Sequence, residues 1–148
     1  MDELRPVRER RASLYRAMLG LEEAVASPVD MGEPWRQRVI GAAEHLRELI
    51  DEHTHETERP GGFLETIVSD APRLVNRVNH IRNEHVELQR QVGHLLRALD
   101  DTAPADLSAR ADDVRDETMR LLGALARHRQ RGADLIYEAY EVDIGSSG

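Results

Sequence analysis

The chain has 148 residues, a formal charge of −8 at pH 7 with histidine neutral, only 3% aromatic residues and no cysteine. The negative balance argues against nucleic-acid binding, whose affinity comes from neutralising phosphates with Lys and Arg. Without cysteine, any metal must be held by His, Asp, Glu or solvent. No apolar run approaches the ~20 residues of a membrane span, and no apolar signal core stands near the N-terminus, so a cytoplasmic, non-membrane protein is expected.

The first predicted helix runs from about Pro6 to Ala26, with an inward stripe of Val7, Arg11, Leu14, Met18, Leu21 and Val25 that carries an arginine near its start. The arginines before it, Arg5, Arg8, Arg10 and Arg11, form a weak anion patch diluted by Glu3 and Glu9. Ser27-Pro28 and Met31-Gly32 break the pattern, and the second helix opens at Pro34, whose missing N–H is harmless in a first turn. Its stripe, Val39, Ala43, Leu46 and Ile50, leads to His53 and Thr57. Arg59-Pro60-Gly61-Gly62 then stops it, and Phe63 to Val68 supplies one or two further turns.

A third helix is expected from a cap at Ser69 or Asp70, with Pro72 in its first turn, to about Leu99. Positions 74, 78, 81, 85, 88, 92, 95 and 99 read Leu, Val, Ile, His, Leu, Val, Leu, Leu, so one face is apolar except for His85. After a loop containing Pro104, a fourth helix spans about Leu107 to Glu141, and its stripe is broken by His128 in the same way. Residues 1–141 read as one bundle and 142–148 as a flexible tail. Four amphipathic helices, each burying one face, give an all-α, antiparallel up-down-up-down four-helix bundle.

Three histidines therefore stand where apolar residues belong. An imidazole in a dry core needs a hydrogen-bond partner or a metal, because an unpaired buried polar atom costs roughly 1–3 kcal/mol. If the last two helices turn near residue 104 or 105, His85 faces about residue 124, roughly 6 Å from His128 at 1.5 Å per residue. His53 joins them only if the preceding reversal is centred near Ser69. A reversal at Gly61-Gly62 would instead gather His45, His80, Glu84 and His128. But His80 and Glu84 belong to the polar stripe Arg77, His80, Glu84, Glu87 and Gln91, a face that normally meets water, and His45, His55, His80 and His94 read as surface residues. In a metal-free core the hydroxyls of Tyr15, Tyr137 or Tyr140 are the candidate partners of the three rings. Trp35 and Phe63 read as staples at helix ends, and Met18 and Met119 as core filler.

In its helix count, helix lengths and histidine placement the chain resembles, over almost its whole length, the hemerythrin-like, or HHE cation-binding, family of four-helix bundles. That family holds an oxygen-bridged pair of irons with a histidine early in the first helix, a His-x-x-x-Glu in the second, a His-x-x-x-His or His-x-x-x-Glu in the third, and a histidine followed by a carboxylate in the fourth. The resemblance implies that His53, His85 and His128 are the ligand histidines of the last three helices. The other positions depart from the pattern: Arg11 in the first helix, Thr57 after His53, Ile81 before His85, and Gly132 and Ala133 after His128. With the bridging carboxylates missing, a di-iron oxygen-binding centre is disfavoured. A single transition metal, Fe or Zn, on the three histidines with Glu56 or Glu58 as a nearby carboxylate is the expected cofactor.

No phosphate-binding glycine loop, cysteine nucleophile or Ser-His-Asp arrangement is present, which points to binding or sensing rather than turnover. The competing class is a metal-free interaction bundle, self-associating as a homodimer.

Overall fold

The computed structural model describes residues 5–142, and no strand occurs among them. Residues 143–148 of the expected tail lie outside the described residues, as does Glu3 of the arginine-rich start. The helices are α1 (Arg5–Ala26), α2 (Glu33–Glu58), the short α3 (Phe63–Asp70), α4 (Val75–Asp100) and α5 (Leu107–Ile136). Single 3-10 turns at Val29–Met31, Pro72–Leu74 and Pro104–Asp106 join them, and α5 runs on into a π-helical segment, Tyr137–Val142. Among the long helices, α1 packs on α2 and α5, and α4 packs on the same two, so the four close a ring around one interior.

The stripes decide which residues enter that interior. Every position of the α4 stripe from Leu74 to Leu99 is buried, His85 included, and in α5 the stripe is buried at every position except Gly132. In α1 the inward residues are Leu14, Met18, Leu21 and Val25, whereas Arg11 is exposed. Each fully buried leucine contributes about 1.5–3 kcal/mol relative to an exposed one, so these rows dominate the stability of the fold. Trp35 is not a peripheral staple but a core residue, 1% exposed, and Met119, 52% exposed, is not core filler.

The junction after α2 is set by local chemistry. A residue preceding proline is pushed to extended backbone, and Arg59 adopts φ −61°, ψ 155° before Pro60. Gly61 then takes φ +73°, which L side chains rarely tolerate, and the Gly62 N–H donates to the Arg59 carbonyl at 2.8 Å. The chain continues outward as α3 before reversing. Ser69 and Asp70 are consequently the last residues of α3 and not caps of the next helix; α4 begins without a side-chain cap, after the turn opened by Pro72.

The apolar interior is divided. A large cluster runs from Trp35, Leu99 and Leu107 at one end of the bundle to Leu14, Ile50, Leu88 and Leu125. A smaller one comprises Leu64, Ile67, Ala71, Leu74, Val78, Ile81, Leu135 and Ala139. Along α4, His85 separates Ile81 of the small cluster from Leu88 of the large one, and along α5, His128 separates Leu135 from Leu125. A polar layer thus interrupts an otherwise continuous core.

Candidate metal centre

Each ring in that layer comes from a different helix. His53 follows Ile50 one turn later on α2, His85 sits mid-way along the α4 stripe, and His128 follows Leu125 on α5. His85 is 0% and His128 4% exposed, and His53 is half-buried. The three rings pack edge to face, with centroids 5.0 Å apart for His53 and His85, 5.3 Å for His53 and His128, and 4.8 Å for His85 and His128. One ligating nitrogen from each ring lies within 4.8 Å of the others. The long excursion through α3 is what carries the reversal far enough for His53 to meet His85.

The outer nitrogens of two rings are already engaged. His85 Nδ1–H donates to Glu58 Oε2 at 2.7 Å, and His128 Nδ1–H donates to Glu84 Oε1 at 2.9 Å. A carboxylate can only accept, so each contact fixes the tautomer and leaves a bare lone pair on Nε2. His85 Nε2 is fully buried and has no hydrogen-bond partner, whereas His128 Nε2 lies 3.2 Å from His53 Nε2. Glu84 is itself held by Arg131, which bonds its other oxygen, and His80 Nε2 stands 3.7 Å from that same oxygen.

Burial and neighbouring charges keep His53 and His85 neutral. Burial first, then the neighbouring imidazoles and the positive charges of Arg10 and Arg11, lower the His53 pKa to about 3. Burial and His128 lower that of His85 to about 4, against the opposing pull of Glu84. For Glu84, burial raises the pKa, but the hydrogen bonds from Arg131 and His128 outweigh it and hold the carboxyl below its usual range. Neutral imidazole is the form that ligates a metal.

The three sequence-derived histidines come together, and Glu58 reaches them from the last residue of α2. Glu56 does not join them: its carboxylate faces Arg59, 3.6 Å away, along the same helix. Thr57, four residues after His53, turns its hydroxyl back to the His53 carbonyl at 2.9 Å. None of the tyrosines serves the rings among the described residues. Tyr15 is exposed beneath the Arg129 guanidinium, 4.9 Å from its centroid, Tyr137 is exposed, and Tyr140 packs on the small apolar cluster.

Of the alternative cluster, His45 and His80 are exposed, but Glu84 is turned inward, with only 13% of its side chain exposed. Sequence reasoning consigned it to water because it stands on a polar stripe. The available signal was the trio Glu84, His128 and Arg131, in which Arg131 lies one turn beyond His128 on the same face of α5 and offers the cation that makes an inward carboxylate tolerable.

No helix among the described residues is long and apolar enough to cross a membrane. Comparisons of the chain with protein-family models, with curated proteins and with solved structures return no match.

Proposed function

We propose that this chain is a hemerythrin-like, up-down-up-down bundle whose histidine layer holds one transition-metal ion, Fe or Zn, for binding or sensing. The alternation of helix direction is supported by side chains that tie opposite ends of neighbouring helices: Arg36, near the start of α2, donates to the Leu99 carbonyl at 3.2 Å near the end of α4, and Arg115, early in α5, donates to the Val25 carbonyl at 2.8 Å near the end of α1. Each arginine satisfies carbonyls that a helix C-terminus leaves unpaired.

The observation that carries the metal reading is the buried, partnerless Nε2 of His85, facing two further imidazoles while carboxylates hold the outer nitrogens of His85 and His128. A carboxylate behind a ligating histidine orients the ring and raises its basicity, the usual second layer of a metal site. Tetrahedral coordination at 2.0–2.1 Å separates ligand nitrogens by roughly 3.4 Å, and the His53–His128 pair at 3.2 Å is near that spacing. Three neutral nitrogens suit a single borderline ion. Two irons would need bridging carboxylates, and Glu58 and Glu84 are committed on the far sides of the rings. A metal-free interaction bundle would leave the His85 lone pair unpaired at a cost of roughly 1–3 kcal/mol.

The test is metal titration of untagged, chelator-treated protein by calorimetry and elemental analysis. One equivalent of zinc or iron(II) is expected for the wild type and none for His85→Ala, with helical circular dichroism preserved in both. Failure of the wild type to take up either ion overturns the reading.

A further inference from the structure

The helix that supplies no histidine to the layer is α1, whose buried stripe ends at Leu14 and is preceded by Arg10 and Arg11. α1 packs against α2 and α5, the helices bearing His53 and His128. Its inward stripe, Leu14, Met18, Leu21 and Val25, reaches Arg11 one turn before Leu14. Arg129, next to His128, lies over the Tyr15 ring one turn from Arg11. Arg11 feels Arg129 as a like charge, and the fields of Arg10 and Arg11 reach His53.

These cations are unbalanced in a chain of net charge −8. Arg5 pairs with Glu9 at 3.1 Å, but Arg10, Arg11 and Arg129 form no ion pair with a carboxylate among the described residues. Of the other arginines near the layer, Arg131 pairs with Glu84 and Arg59 with Glu56, whereas the Nε of Arg82, whose charge reaches His85, is buried without a partner. Like charges held together beside a cation site oppose both one another and metal binding, unless an anion joins them. Three imidazoles also leave a tetrahedral ion one position short, and among the described residues no carboxylate joins the three histidines in that cluster.

We infer that, given the metal reading above, the remaining position at the ion takes a small oxyanion, a carboxylate or phosphate, clamped from the α1 side by Arg10 and Arg11. The planar guanidinium fork matches either anion through paired N–H donors. Arg11 is exposed and His53 only half-buried, so this side of the layer is open to solvent.

Cobalt(II)-loaded protein provides the test, because the visible spectrum of cobalt reports its own ligand set. Titration with acetate and, separately, with inorganic phosphate at fixed ionic strength is expected to shift the band saturably; the anion that does so identifies the class accepted. In Arg10→Gln/Arg11→Gln, anion affinity is expected to fall about tenfold or more, while cobalt affinity holds or rises because two repelling cations have gone. A structural role for the arginines would not move the two affinities in opposite directions. If cobalt binds but neither anion perturbs it, or the double variant binds anion as tightly as the wild type, the inference is overturned and the metal reading stands. If cobalt does not bind, both fall.

Discussion

His85 gives the sharpest distinction between a ring kept for packing and one kept for coordination. Its Nδ1 is satisfied by Glu58 but its Nε2 is buried without a partner, so the metal-free fold carries an uncompensated polar atom. Replacing the ring by leucine removes that atom and restores the apolar row from Ile81 to Leu88, while Glu58, 29% exposed, regains water. His85→Leu is therefore expected to stabilise the metal-free protein by about 1–3 kcal/mol in urea denaturation and to abolish metal uptake. A loss of stability would mean that the three rings are a structural network. Glu84→Gln breaks the charge-assisted contacts to His128 and Arg131 without emptying the site, and its metal affinity is expected to drop 10–100-fold in calorimetric titration. The three histidines were legible because each interrupts an apolar row. Glu84 was not, because a stripe records which way a Cα–Cβ bond points, whereas a glutamate one residue before His85 can swing its carboxylate across to the neighbouring helix.

Elements were read more securely than their junctions. The rows from Leu74 to Leu99 and from Leu107 to Ala139 fix α4 and α5, since burial of one face over seven turns leaves no other register. The segment after Gly62 was harder, because six apolar and polar residues in a row are too few for a period to assert itself, and α3 extends through the Ser69 and Asp70 that otherwise look like caps. That junction matters to the site because it carries the chain from Glu58, at the end of α2, out to the reversal that brings His85 alongside. A Cβ on Gly62 would lie 2.7 Å from the Arg59 carbonyl oxygen, so the backbone itself must move. Gly62→Ala is expected to cost about 1–3 kcal/mol and to weaken metal binding, as the Glu58–His85 contact shifts with the turn. Gly41, exposed within α2 with nothing within 4 Å of where a Cβ would stand, is the contrast. Gly41→Ala is expected to stabilise by about 0.5–1 kcal/mol and leave binding unchanged. Equal effects at the two glycines would remove the junction from the account.

At the scale of the whole molecule, the divided core makes stability depend on pH in a particular window. His53 and His85 titrate near 3 and 4 in the folded protein, against 6.5 for an exposed ring. Above 6.5 both are neutral whether folded or not, and folding is indifferent to protons at these sites. As the pH falls below 6.5, the unfolded chain binds protons that the folded one refuses, and stability declines until the folded rings also protonate near 4 and 3. Each pH unit of separation is worth about 1.4 kcal/mol per group, so by pH 4 the pair withdraws several kcal/mol, a large share of the ~5–15 kcal/mol typical of a domain. The metal-free protein should therefore keep a constant melting temperature from pH 8 to about 7 and lose it steeply between about 6.5 and 4, a decline that begins well above the range in which exposed carboxylates are neutralised. His53→Gln/His85→Leu, which deletes both titrations, is expected to flatten that decline. Thermal melts of chelator-treated wild type and double variant across this range decide the matter. Parallel curves would show that the acid sensitivity originates elsewhere, and that His53 and His85 are not held neutral by the fold.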